Sequence, residues 1–227
     1  MADVNIQDFP SLFSLKGKVA VVTGGSRGLG LTAASASTIE GVEALVAGVR
    51  RQHAGRVDIL LANAGATWGE AFDTHPDAAL ARVLDLNVRA VFNTVRLVVI
   101  TSSTAGLGVG TLGKQATFGY SASKAAVLHL GRNLALELGP RGITVNSICP
   151  GFFPTKMSNG LLEMTGGAGK LAGANPMGRL GRPEDIAGVV VYLCSRAGSH
   201  VNGEAIAIDG GALWRRGELL GPGEAKL

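Results

Sequence analysis

The sequence predicts an α/β protein built on a doubly wound parallel sheet. Three observations carry this. Runs rich in Val, Ile and Leu recur at Val19–Thr23, Val57–Leu61, Leu97–Ile100, Ile143–Ile148 and Ala205–Ile208, each the length of a strand buried on both faces. Segments with apolar residues three and four apart lie between several of them. The runs end in turn-forming residues: Thr23-Gly24, Asn63-Ala64-Gly65, Ser102-Ser103, Pro150-Gly151 and Asp209-Gly210. Strands that alternate with helices are joined by crossovers and are therefore parallel.

Composition narrows the class. A chain of 227 residues suffices for one such domain (1–227) with a sizeable core. Residues 1–17 read as an N-terminal arm and 215–227 as a loose tail. With 46% hydrophobic and 17% charged residues, the chain is neither disordered nor fibrous. The net charge of +4 comes from scattered Lys and Arg with few aromatics, which gives no footprint for nucleic acid. Cys149 and Cys194 have apolar neighbours and read as buried thiols. His53, His75, His129 and His200 show no ligand spacing, so no metal is expected. The first 18 residues include Asp3 and Asp8 and lack the apolar core of a signal peptide. No run reaches the ~20 apolar residues of a membrane span, so a cytoplasmic protein without a membrane partner is expected.

In order, the strand at Val19 opens into Thr23-Gly24-Gly25-Ser26-Arg27-Gly28-Leu29-Gly30. Glycines at a strand-to-helix junction permit a tight turn and let backbone approach a pyrophosphate resting on the helix N-terminus. An ordinary flexible loop is the alternative. Thr38–His53 has helical spacing at Ile39, Val42, Leu45, Val46 and Val49. After the strand at Val57 comes a predicted helix over Leu80–Arg96, which contains Asn87. A long amphipathic helix is expected over Tyr120–Leu138, stopped by Gly139-Pro140. Residues 158–181 read as irregular, and Pro183-Glu184 opens a helix that runs to Cys194. There is no internal repeat.

The chemistry concentrates in Tyr120-Ser121-Ala122-Ser123-Lys124. Positions i and i+4 of a helix share a face, so the phenol and the ammonium point the same way. A free phenol titrates near pH ~10, and a neighbouring ammonium is expected to lower that value toward acid–base use. A solvated Tyr and Lys are the alternative for this common spacing.

Taken together, the motifs resemble the short-chain dehydrogenase/reductase family. They occur in that family's order: Thr23-Gly24-x-x-x-Gly28-x-Gly30, Asn63-Ala64-Gly65, Asn87, Ser103, Tyr120-x-x-x-Lys124, and Pro150-Gly151 with Thr155. Leu107–Gly119 and Pro150–Met157 are most similar to the 3-oxoacyl-reductase branch, including rhamnolipid-pathway-type ketoreductases. The resemblance implies a Rossmann-like fold and an NADP-dependent oxidoreductase that reduces a ketone or 3-oxoacyl-type carbonyl to a secondary alcohol. Tyr120 would protonate the carbonyl oxygen, with Lys124 lowering its pKa and binding the nicotinamide ribose. Ser103, preferred over Ser102, would hydrogen-bond the substrate oxygen. Asn87 would hold a water linking Lys124 to solvent, unless it is a capping or surface amide. The resemblance places the cofactor against Thr23, Gly24, Ser26, Arg27, Gly28, Leu29, Gly30, Asn63, Ala64, Gly65, Tyr120, Lys124, Pro150, Gly151, Phe153 and Thr155. Arg27 could pair with a 2′-phosphate, which favours NADP over NAD. Trp68, Phe152 and Met157, together with Phe153, Leu161, Leu162 and Met164, suggest an apolar wall for a small carbonyl substrate, or else core packing. A homodimer or homotetramer is implied, and Ala125, Val127, Leu128, Leu134 and Leu136 are too many for one buried stripe.

One part departs from the family. Thr23 and Asp58 are separated by only 34 residues, room for a single crossover, where the family places two further strands. A second, shorter gap falls between Arg96 and Val98. Two explanations stay open: the sequence omits residues and closes the numbering, or the polypeptide lacks both segments. Continuous numbering favours the second, with a fold lacking its second and third strands. The Val19 strand would then be an edge beside the Asp58 strand. Thr38–His53 would keep its place on the sheet, and Gly28–Ser35 would be short or displaced. The alternative function is then a non-catalytic or impaired remnant that has lost part of the adenine side of its cofactor site.

Overall fold

A computed structural model describes residues 9–24, 47–48, 51, 56–94, 98–155 and 166–215. Five strands form one sheet: β1 (Ala20–Val22), β2 (Ile59–Ala62), β3 (Val98–Thr101), β4 (Val145–Pro150) and β5 (Ala205–Ile208). All four pairings are parallel, and the spatial order follows the chain, β1-β2-β3-β4-β5. The expected fold class is therefore present. Among the described residues β1 is the edge strand and pairs only with β2, in the register Ala20–Ile59 to Val22–Leu61. That is the arrangement expected of a chain lacking the two family strands. The junctions at Ala36–Ser37 and Arg96–Leu97, the stretch Gly28–Ser35 and most of Thr38–His53 lie outside the described residues.

Alternation along the strands splits the core into two layers. Leu60, Ala62, Ile100 and Val145 face Val91, Val127, Ala135 and Leu138. Leu61, Val99, Ile148, Ile206 and Ile208 face the other way, onto Ile186, Val189, Val190 and Leu193. The first layer is covered by helices α2 (Ala90–Thr94) and α3 (Phe118–Leu138), and the second by α5 (Pro183–Cys194). Helix α1 is Asp77–Leu84, and α4, Ala168–Gly173, precedes α5. Asp185 closes the start of α5, accepting from Arg182 N at 2.8 Å and from both Arg179 terminal nitrogens at 2.7 and 3.0 Å.

The structure corrects several boundaries. The helix expected over Leu80–Arg96 begins at Asp77 and is interrupted by a π-helical segment, Asp85–Arg89, where Ala90 N donates to Asp85 O. That segment carries Asn87, which is 1% exposed, so Asn87 is neither a cap nor a surface amide. The β4 strand runs two residues later than Ile143–Ile148 suggested. Residues 158–181 are not wholly irregular, since α4 lies within them. Helix α5 and strand β5 coincide with their predicted ranges.

Candidate active site

The site lies at the carboxyl ends of β2, β3 and β4, where α3 begins. Tyr120 and Lys124 share a face of α3, with Lys124 Nζ 5.6 Å from the Tyr120 ring centroid. Lys124 is 4% exposed, and its ammonium donates to Thr101 O at the end of β3, at 2.7 Å. Burial lowers its pKa to about 8, with Cys149 a smaller opposing influence. Tyr120 is half-buried, and its pKa is raised, not lowered as expected. Burial is the largest cause, a hydrogen bond with the Ser103 side chain pulls the other way, and Cys149 adds to the rise. The ammonium lies over the ring and donates to Thr101 O.

The two serines after β3 separate clearly. The Ser102 hydroxyl is buried and donates to Lys124 O at 2.9 Å, tying β3 to α3. The Ser103 side chain accepts from Ala105 N at 3.2 Å, capping a helical turn at Thr104–Leu107, and meets the Tyr120 hydroxyl. Beneath them is Cys149 on β4, 0% exposed and hydrogen-bonded to Ser102 and the Ser103 backbone. Burial pushes its thiol up to about 11, so it is neutral at physiological pH. Cys149 thus fits the buried-thiol expectation, and Cys194 is half-buried.

The cofactor side is partly described. Thr23 Oγ1 accepts from Asn63 N at 3.1 Å and Ala64 N at 3.2 Å, joining the ends of β1 and β2. Gly24 has φ 70°, and a Cβ there would lie 3.1 Å from Ala64 Cα, so only glycine suits the turn. Ser26, Arg27, Gly28, Leu29 and Gly30 lie outside the described residues. Gly151 N donates to Ile208 O at 2.9 Å, and the Phe153 ring covers Gly181, where a Cβ would collide with it. Thr155 is exposed, and Pro150 closes β4.

Of the expected substrate wall, Trp68, Phe152 and Phe153 are described, and Met157, Leu161, Leu162 and Met164 lie outside the described residues. Trp68 lines a half-open cavity of about 250 Å³ with Ala66, Ala79, Arg82 and Val83, and none of Ser103, Tyr120 and Lys124 lines it. Phe152 is half-buried, its carbonyl accepting from Gly181 N at 3.0 Å. Among the described residues no group of three or more metal-ligating side chains occurs, and no helix is long and apolar enough to cross a membrane.

The structure does bring Asn87, Ser103, Tyr120, Lys124 and Gly65 together. A Cβ on Gly65 would lie 3.2 Å from Asn87 Oδ1 and 3.4 Å from Lys124 Nζ, so backbone and ammonium line one narrow space. Thr101 Oγ1 is buried without a hydrogen-bond partner, and Lys124 has donors beyond the one bonded to Thr101 O. Sequence reasoning missed Ser123, which is fully buried and bonded to both Asn87 and the Tyr120 carbonyl. The available signal was a serine three residues after Tyr120, within reach of its carbonyl.

This geometry agrees with the comparisons. A family model described as Enoyl-(Acyl carrier protein) reductase matches residues 21–212. The chain belongs to the short-chain dehydrogenase/reductase family of oxidoreductases. It is 32% identical to the rhamnolipids biosynthesis 3-oxoacyl-[acyl-carrier-protein] reductase of Pseudomonas aeruginosa, over 88% of this chain and 97% of that protein. It is 31% identical to the 3alpha-hydroxysteroid dehydrogenase of Mediterraneibacter gnavus, over 87% and 98%. Among solved structures it resembles the Pseudomonas aeruginosa RhlG/NADP active-site complex, at TM-score 0.78 and 31% identity, over 89% of this chain and 99% of that one. The first alignment spans 250 positions, whereas 88% of 227 residues is about 200, so about 50 positions face a gap in this chain.

Proposed function

We propose that the protein is an NADPH-dependent ketoreductase that converts a ketone or 3-oxoacyl-type carbonyl to a secondary alcohol. The observation that carries this is the Tyr120–Ser103 hydroxyl pair set beside the buried Lys124 ammonium. NADPH, when bound, supplies the hydride. Lys124 and the Gly65 backbone would hold its nicotinamide ribose, with Thr23, Gly24, Asn63 and Ala64 lining the approach. Ser103 would hold the carbonyl oxygen, and Tyr120 would give its proton to that oxygen as negative charge builds there. A burial-raised phenol pKa keeps that proton in place until it is needed. Asn87, whose side chain bonds Ala66 and Ser123, would serve by fixing that backbone.

The choice of NADP rests on Arg27 and on the NADP named in the similar RhlG complex. The acyl preference rests on the similar 3-oxoacyl reductase, with the steroid dehydrogenase pointing to other apolar ketones. We further propose one domain over 1–227, acting in the cytoplasm as a homodimer or homotetramer, with neither nucleic acid nor membrane as partner. The test follows NADPH oxidation by the purified chain with a 3-oxoacyl thioester and an apolar cyclic ketone. Turnover with either, abolished by Tyr120→Phe, is the expected result.

A second reading is favoured by a specific observation. β1 is the sheet edge among the described residues, and about 50 aligned positions are unmatched. On that reading the chain is an impaired remnant that keeps the catalytic side but binds NADPH weakly. Direct titration of NADPH separates the two: micromolar binding supports the enzyme, and millimolar or undetectable binding supports the remnant.

A further inference from the structure

Three hydrogen bonds fix which way round the Asn87 carboxamide lies. Oδ1 accepts from Ala66 N at 2.9 Å, and Nδ2 donates to Ala66 O and to Ser123 Oγ, both at 2.9 Å. Ser123 in turn donates to the Tyr120 carbonyl at 2.7 Å. A serine hydroxyl has one proton. With that proton committed to Tyr120, Ser123 can only accept from Asn87, so the nitrogen end must face it. The reversed carboxamide would set oxygen against the Ser123 lone pairs and Ala66 O, and an amino group against Ala66 N–H. Ser123 is 0% and Asn87 1% exposed, so water cannot replace either partner.

The Ala66 backbone held in this way continues into Gly65, which faces Asn87 Oδ1 and Lys124 Nζ. We propose that Ser123 is a positioning residue: through Asn87 it sets the Gly65–Ala66 backbone against the Lys124 ammonium, and so fixes where the nicotinamide ribose of NADPH can lie. The cofactor part rests on the NADPH reading above. The effect falls on binding, because the Tyr120 and Ser103 hydroxyls keep their contacts.

The test combines amide hydrogen exchange of the unliganded chain with NADPH titration. Ser123→Ala should speed exchange at Ala66 N–H about tenfold and raise the NADPH Kd by a similar factor, with kcat at saturating NADPH within about twofold of the parent. Ser121→Ala is the control: its hydroxyl lies on the same helix without a hydrogen-bond partner, and its removal should change neither reading. Ala66 exchange at the parent rate in folded Ser123→Ala overturns the proposal, whatever NADPH does. Faster exchange with an unchanged Kd, in a chain that binds NADPH, makes the role purely structural and overturns it too. If the parent binds no NADPH, the functional reading fails, while Ala66 exchange still decides whether Ser123 sets this backbone. Should Ser123→Ala not fold, the parent decides by NMR. A slowly exchanging Ser123 hydroxyl proton close to the Asn87 side-chain amide supports the proposal, and a rapidly exchanging one overturns it.

Discussion

Gly106 packs against the backbone of Lys124 so closely that a Cβ on it would lie 2.6 Å from the Lys124 carbonyl carbon and 2.7 Å from its oxygen. That oxygen also accepts from Ser102. The turn after β3 and the helix bearing the candidate proton donor are therefore locked at backbone level. Gly106→Ala should force them apart and cost about 1–3 kcal/mol, the usual range for overpacking. Urea denaturation reads the loss directly, and an unchanged midpoint would contradict the contact.

Tyr120→Phe removes one hydroxyl and should abolish carbonyl reduction while circular dichroism and melting stay near those of the parent. Ser103→Ala should lower kcat and, with its cap on Ala105 N gone, cost only about 1 kcal/mol of stability. Ser102→Ala should do the reverse, because its hydroxyl bridges β3 and α3. A Ser102→Ala variant that lost turnover at full stability would reverse the assignment of the two serines.

Lys124 sets a pH dependence of stability. Its folded-state pKa is lowered from 10.5 to about 8 by burial. Below about 8 both folded and unfolded chains carry the proton, and the folded state bears the whole desolvation cost. Between about 8 and 10.5 the folded chain releases the proton while the unfolded chain keeps it, so this group's contribution to stability rises with pH. Lys124→Met should therefore stabilise the chain at pH 7 by about 1–3 kcal/mol. The gain should shrink as pH climbs through that window. A pH-independent difference in melting between the two proteins would refute this.

Association follows from uncovered apolar residues on α2 and α3. Val127 and Leu128 are buried and Leu134 is half-buried, whereas Ala125 is exposed and Leu136 is 80% exposed, with Phe92 of α2 at 60%. Light scattering should find a dimer or tetramer, and Leu136→Asp should shift it toward monomer. A monomer at high concentration would count against the expectation.

Where local pattern decides, the sequence was readable. Pro183-Glu184 and the apolar spacing behind them gave α5 to the residue, and the five-residue span from Tyr120 to Lys124 placed the phenol and ammonium together. What stayed hidden depends on distant partners. The π-helical segment at Asn87 contains neither Gly nor Pro; it turns the carboxamide inward to Ala66 and Ser123, 21 and 36 residues away. The direction of the Tyr120 shift follows from how deeply the folded chain buries the phenol, which no local spacing states. Helix α4 is rich in Gly and Ala, without an apolar stripe to announce it. Just beyond it, Asn175 Nδ2 is anchored on Asp209 O at 2.8 Å, beyond β5.

A sheet whose spatial order repeats its chain order can be trimmed from one side like a fence. Among the described residues, β2, β3 and β4 keep the hydrogen bonds of both neighbours, and β5 those of β4, whether or not anything stands outside β1, because no later strand is laid beyond it. Excising a segment between β1 and β2 therefore unpairs nothing inward. Excising the chain between β3 and β4 would instead remove α3, and with it Tyr120 and Lys124. Ser103 follows β3, and Tyr120 and Lys124 lie on α3, so the catalytic candidates depend on interior strands and not on β1.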